Sequence, residues 1–219
     1  MPLQLRQAIK PHEGLLGMWH ITESEEFFRH HLSLSAAEQA QLQPLKGRRR
    51  IEWLAVRYLV HVLSERKVRG SILKDSYGKP QLEGSKWHIS ISHSRDRAAV
   101  IASPHIVGVD IQVVVPHIAR IAHKFMRSEE RAALDPHHLI PHMHVYWGAK
   151  ECLYKAWGRR QLDWCTHMRI APFPFLPEGG HSLGYIEKED QSLAFDLYYR
   201  LIDGFVLTWV VQVIHPSDS

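Results

Sequence analysis

The segment Ile106-Val107-Gly108-Val109-Asp110-Ile111-Gln112-Val113-Val114-Val115 constrains this chain more than any other. Its β-branched residues favour an extended strand, and its apolar character means that the strand is covered. Asp110 interrupts the run. A carboxylate inside such a strand is costly unless it is paired, metal-bound or exposed. Residues two apart on a strand share a face, so Asp110 and Gln112 project together while Val109 and Ile111 point into a core. About forty residues further on, Trp147-Gly148-Ala149-Lys150-Glu151-Cys152-Leu153-Tyr154-Lys155 places a second carboxylate in an apolar helix. Glu151 and Lys155, four apart, share a helix face, with Trp147 one turn earlier on the same stripe. An Asp, a Glu and an amide oxygen are hard ligands that suit Mg²⁺ or Mn²⁺, completed by waters and substrate phosphates. Lysines beside them would neutralise the charge of a pyrophosphate. Each half also has an ordinary reading: Glu–Lys pairs at this spacing are common on solvated helix faces, and strand-edge exposure would account for Asp110.

With 219 residues the chain holds one large domain or two small ones. No window is apolar enough for a membrane span, and Met1 to Lys10 lacks the layout of a secretory signal. Cys152 and Cys165 form no metal motif and are too few for a disulfide framework, so a reducing, cytoplasmic compartment is expected. The formal charge of +4 favours an anionic ligand or acidic partner over a dedicated nucleic-acid binder.

Capping-box spacing starts helices after Thr22 and at Ser35. Ile51, Leu54, Ala55, Tyr58, Leu59 and Val62 give a helix over Arg48–Leu63 one buried face. Tyr77-Gly78-Lys79-Pro80 is a turn. His88–Ser92 alternates as a half-buried strand. Ala98–Ala102 and Ile106–Val113 are predicted to form a hairpin across Ser103-Pro104-His105. Pro116 opens a helix carrying Ile118, Ile121, Ala122 and Phe125. Ser128 caps a short one, and a helix over Val145–Trp157 carries the second acidic segment. Leu183–Glu187, Leu193–Tyr199 and Phe205–Val213 read as strands, the last two joined at Asp203-Gly204. The class is α+β, with two lobes, 1–105 and 106–219, each a small antiparallel sheet with helices, packed tightly without a low-complexity linker.

Three further segments carry polar chemistry. Ser90-Ile91-Ser92-His93-Ser94 ends a strand in hydroxyls and an imidazole, which can hold phosphate or a purine edge or simply satisfy a turn. Lys46-Gly47-Arg48-Arg49-Arg50, followed by Arg57, is a phosphate site, a nucleic-acid patch or a solvated face. Pro136–His144, between helices, is dense in imidazole and reads as a loop whose histidines are solvated or, through His142 and His144, bind Zn²⁺ or Ni²⁺.

In order and spacing, Tyr77-Gly78-Lys79-Pro80, Ile89–Ser94, Gly108-Val109-Asp110-Ile111 and Trp147–Gly158 resemble the 4′-phosphopantetheinyl transferases, in particular the larger monomeric class that activates surfactin synthetase. The resemblance implies two pseudo-symmetric α+β lobes with coenzyme A bound between them. It also implies Mg²⁺-dependent transfer of the phosphopantetheine arm to a serine of an acyl or peptidyl carrier protein, releasing adenosine 3′,5′-bisphosphate. By this likeness Asp110 and Glu151 hold the metal, and Gln112 stands where the family usually has a glutamate. Glu151 is the candidate general base. Lys155 meets a phosphate oxygen, with Lys150 in support. His93 and Arg48, the arginine that motif spacing to Arg57 favours over Arg49 and Arg50, contact the 3′-phosphate. Lys79, Pro80 and Ser92 lie near the adenosine. The helix after Pro116, with Arg120, Lys124 and Phe125, is by this likeness a docking surface for the carrier, or else a core helix with a solvated face. Rival readings are a Mg²⁺-dependent hydrolase of a nucleotide pyrophosphate, a basic nucleic-acid-binding module, and, on account of Gln112, a family member that binds coenzyme A without catalysis. The expected carriers belong to fatty-acid, polyketide, peptide or lysine pathways, and the expected state is a monomer.

Overall fold

The computed structural model describes residues 2–159 and 161–213. The chain divides into two compact units, Met1–His105 and Ile106–Ser219. Both mix helices with an antiparallel sheet, so the class is α+β as the sequence predicts.

The first unit comprises β1 (Leu3–Ala8), β2 (Leu15–His20), α1 (Glu25–His31), α2 (Ala36–Leu42), α3 (Arg48–Ser64), β3 (Ile72–Lys74), β4 (Pro80–Leu82), β5 (His88–Ser94) and β6 (Arg97–Ser103). Its strands form one sheet in the order β1-β2-β6-β5-β4-β3. The helical spacing anticipated in α3 is realised: Leu59, Val60 and Leu63 pack on Ile89, Ala98 and Val100 of the sheet, while Leu54 and Ala55 meet Phe28, Leu32 and Leu42 of the shorter helices. The Ser35 capping box is formed, with Glu38 bonding back to the cap. At α1 the cap is Ser24, whose hydroxyl accepts from the Phe27 amide. The start therefore lies two residues beyond Thr22, and Glu25, the acid a box at Thr22 would need, accepts from Arg50 instead.

The second unit comprises β7 (Val107–Val113), α4 (Ile118–Ile121), α5 (Ser128–Ala132), α6 (Leu139–Trp157), β8 (Met168–Ile170), β9 (Gly180–Lys188), β10 (Gln191–Ile202) and β11 (Phe205–Gln212). The sheet order is β7-β11-β10-β9-β8. α6 supplies Val145, Tyr146, Ala149, Cys152, Leu153 and Ala156 to a core shared with Phe195, Leu197, Tyr199, Val206 and Val210. Gly158, at φ 66°, ends α6 in the left-handed conformation that favours glycine. No helix among the described residues is long and apolar enough to cross a membrane.

Three sequence expectations are corrected here. β6 and β7 are not a hairpin: β6 pairs with β2 and β5, and β7 pairs with β11, a hundred residues away in sequence. Their apolar alternation marks both as strands but says nothing of partners. The region after Pro116 is only the single turn α4 followed by a 3₁₀ turn, Ala122–Lys124. The histidine-rich segment is no loop from Leu139 onward. It forms the first turns of α6, where Pro141 is tolerated near the N-terminus, and buries His142 and His144.

Candidate functional site

Strand alternation turns Gly108, Asp110 and Gln112 toward α6, and two glycines permit the approach. A Cβ on Gly108 would lie 2.0 Å from the Cys152 carbonyl oxygen, and one on Gly148 would lie 2.4 Å from Thr208 Oγ1 and 3.0 Å from Gln112 Nε2. Close contact of β7 and β11 with α6 thus depends on a glycine in each of the two acidic segments.

That contact brings Lys155 onto Asp110, with Glu151 one helical turn before Lys155 in α6. Lys155 Nζ donates to Asp110 Oδ1 at 2.8 Å and to the Val109 carbonyl at 2.9 Å. Burial pushes the Glu151 carboxyl up to about 7, the negative charge of Asp110 adds to the rise, and Lys155 opposes it. The two acids are therefore near enough for one to resist ionisation of the other. Burial works against the Lys155 ammonium, but Asp110, with Cys152 and Glu151, outweighs it and holds the pKa above the ordinary lysine value. Two carboxylates in this relation fit a hard divalent cation, which would relieve their repulsion. Mg²⁺ in particular is commonly held by one or two carboxylates with waters and substrate phosphates. Among the described residues, no group of three or more His, Cys, Asp or Glu side chains is arranged as a metal site.

Gln112 sits in this group in an unanticipated way. Its Nε2 donates to Asp110 Oδ2 at 3.3 Å and to the His144 carbonyl at 3.2 Å. Its Oε1 lies 2.8 Å from His144 Nδ1. The amide therefore turns its donor, not its oxygen, toward Asp110. His144 is 2% exposed, and burial keeps its pKa below the ordinary value against the opposing pull of Val115 and Asp110. Nothing local in sequence announces His144, which lies 32 residues from its partner.

Lys150 does not join the site. It is fully buried on another side of α6, 2.7 Å from Glu130, which is also fully buried. It donates further to the carbonyls of Phe125 and Trp164. Glu130 in turn accepts the amides of Arg127 and Ile170. Burial lowers the Lys150 pKa, and Glu130 works the other way. The supporting role expected for Lys150 is thus corrected to a structural one. Lys150→Met is expected to lower the unfolding free energy by about 3 kcal/mol, because Glu130 would remain as an uncompensated buried charge. The midpoint of urea denaturation measures it. A loss below about 1 kcal/mol would show that the pair does not hold the fold.

In the first unit, Arg48 Nε donates to Glu52 Oε1 at 3.2 Å and to the Arg95 carbonyl at 3.0 Å. His93 Nδ1 lies 3.2 Å from Glu52 Oε2. The structure therefore groups Arg48 with His93 at the N-terminus of α3. Arg50 is turned away, onto both oxygens of Glu25 and the carbonyls of Leu42 and Leu45. Arg57 faces the core, with Glu38 at 3.4 Å and its guanidinium carbon 3.1 Å from the Trp53 ring centre. The basic cluster is thus shared among three separate surroundings. Lys79 follows the turn at Asp75, whose Oδ1 accepts the amides of Tyr77 and Lys79, and burial lowers its pKa while Asp75 opposes that. Pro80 begins β4. Ser92 is buried in β5 opposite Ala99.

Residues 106–210 match the family model described as ACPS, the 4′-phosphopantetheinyl transferase superfamily. The match covers Asp110, Gln112, Glu151 and Lys155 but stops short of Arg48, Lys79, Pro80, Ser92 and His93. No curated protein matches the chain.

Proposed function

We propose that this chain is a transferase of the larger monomeric type, moving the phosphopantetheine arm of coenzyme A to a carrier-protein serine in a Mg²⁺-dependent reaction. The observation that carries the reading is the contact of the Lys155 ammonium with Asp110, one helical turn from Glu151, whose carboxyl burial pushes up to about 7. A pair of acids set against each other is unfavourable unless a cation or a proton is shared there.

Asp110 and Glu151 would hold the cation, which when bound would screen the pyrophosphate charge. Lys155 stays charged through its contact with Asp110 and offers its remaining donor capacity to a phosphate oxygen. Glu151, directly or through a water, accepts the proton of the carrier serine as the serine oxygen bonds to the β-phosphorus of coenzyme A. The bond from that phosphorus to the bridging oxygen breaks, and adenosine 3′,5′-bisphosphate leaves with the electron pair. Arg48 and His93 would take the 3′-phosphate, with Lys79, Pro80 and Ser92 at the adenosine. Glu52 orients Arg48 and His93 in advance, which lowers the entropy cost of binding.

The test incubates the full chain with coenzyme A, MgCl₂ and a panel of apo-carrier proteins, read by mass spectrometry of the carrier. A carrier gaining a phosphopantetheine mass only when all components are present supports the reading. Cleavage of coenzyme A without any acceptor would identify a hydrolase instead.

A further inference from the structure

The turn that joins β5 to β6 puts an arginine where the backbone calls for glycine. Ser94 pairs with Arg97, so Arg95 and Asp96 are the two central residues of the hairpin loop. Only the first of them has a positive φ, 50°. A two-residue loop of that kind favours glycine at its first central position, because a β-carbon is crowded in the left-handed region. Among the described residues the Arg95 guanidinium has no hydrogen-bond or ion-pair partner to offset that cost. The neighbouring Asp96 carboxylate is engaged elsewhere, 2.8 Å from Arg97 and 3.1 Å from His20. A side chain kept in a strained turn without any return to the fold points to a use outside the fold.

The same residue already forms part of the Arg48–His93 group through its backbone. Its carbonyl accepts from Arg48 Nε at 3.0 Å, and His93 lies two residues earlier. The Arg95 Cα is bonded to that carbonyl carbon, so the side chain starts from the wall of the group. The group is short of positive charge for a phosphate. Glu52 sets one oxygen on Arg48 and the other on His93. Even with His93 protonated the three side chains sum to a single positive charge, whereas a phosphate monoester carries about −1.5 to −2 near neutral pH. A second guanidinium makes up the difference, and its planar fork can bond two phosphate oxygens at once. Arg49 is exposed as well, but it lies about 100° around α3 from Arg48.

We propose that Arg95 is a further binding residue for coenzyme A: its guanidinium closes on the 3′-phosphate beside Arg48 and His93 and makes the site discriminate coenzyme A from 3′-dephospho-coenzyme A. The inference rests on the reading of Arg48 and His93 in the preceding subsection. Arg95 takes no part in the bond-making step. It acts on ground-state affinity, and the left-handed turn is the stability given up to place it.

Calorimetric titration of the full chain with coenzyme A and with 3′-dephospho-coenzyme A, each with MgCl₂, gives the ratio of the two affinities. Arg95→Gly is expected to lower that ratio about tenfold by weakening coenzyme A alone, with the dephospho compound bound as before. The same variant is expected to melt about 3 °C higher, because glycine suits the left-handed turn. Arg95→Lys keeps the charge and is expected to retain most of the ratio. An unchanged ratio in Arg95→Gly, with a fall in Arg48→Ala or Arg49→Gln, would overturn the proposal and leave the 3′-phosphate site standing on other residues. A lower ratio in an Arg95→Gly chain that melts below the parent would also overturn it, since the side chain would then be supporting the turn. A parent chain that binds both compounds alike, or neither, would remove the 3′-phosphate reading of Arg48 and His93 together with the role of Arg95.

Discussion

Asp110→Asn is expected to lower kcat/KM for carrier modification by about 10³-fold, about 4 kcal/mol in the barrier. The substitution keeps the size of the side chain and removes its charge. Two things are lost at once: half of the acidic pair proposed to hold the cation, and the main counter-charge that keeps the Lys155 ammonium above its ordinary pKa. Asparagine has one acceptor oxygen, whereas Asp110 uses both of its own, Oδ1 for Lys155 and Oδ2 for Gln112. One of those donors would lose its partner, at a cost of about 1–2 kcal/mol in stability. The fold is expected to survive, since the apolar core of the second unit does not include this side chain. Mass spectrometry of the carrier, a Mg²⁺ titration by calorimetry and a thermal melt separate these effects. A folded variant that turns over like the parent at limiting Mg²⁺ would end the assignment of Asp110.

How much of this was readable without coordinates depends on whether the interaction is local. The Ser35 capping box, the buried stripe of α3 and the turn at Asp203-Gly204 need only neighbours within a few residues, and all are present. Asp110 was conspicuous because its cost is local: a charge in an apolar strand. Glu151 and Lys155 share a helix face by their spacing alone. The same geometry separates Lys150 from Lys155, since five residues turn a helix about 140°, and the buried partner Glu130 lies twenty residues earlier in the sequence. The choice of strand partner was not readable. β7 looks like the continuation of a hairpin from β6, yet pairs with the last strand of the chain. His144 was hidden for a related reason. Two prolines and four histidines between residues 136 and 144 resemble a polar loop, and only the packing of α6 against β7 reveals that one of those rings is buried against Gln112.

Glu151→Gln is expected to have opposite effects on activity and on stability. Transfer should fall by about 10³-fold, because the amide is neither a base nor an anionic ligand. Stability of the metal-free protein should rise, and the pH dependence fixes the sign. Below the ordinary carboxyl value of 4.5 Glu151 keeps its proton in both the folded and the unfolded chain and contributes nothing. Between 4.5 and about 7 the unfolded chain ionises there while the folded chain retains the proton, so unfolding releases a proton and stability falls as pH rises. Above about 7 the loss is complete, at most about 3 kcal/mol for a displacement of this size. Glutamine cannot ionise and escapes the whole of it. Melting curves without metal should therefore coincide for parent and variant near pH 4.5, and the variant should be the more stable at pH 8. Mg²⁺ should reverse the order by stabilising the parent alone. Because the cation must displace the Glu151 proton, its apparent affinity for the parent should fall below pH 7, approaching tenfold per pH unit. A parent and variant that melt alike across the whole range would mean that the folded chain does not hold the Glu151 carboxyl above its ordinary value, and the case for a shared cation would lose its ground.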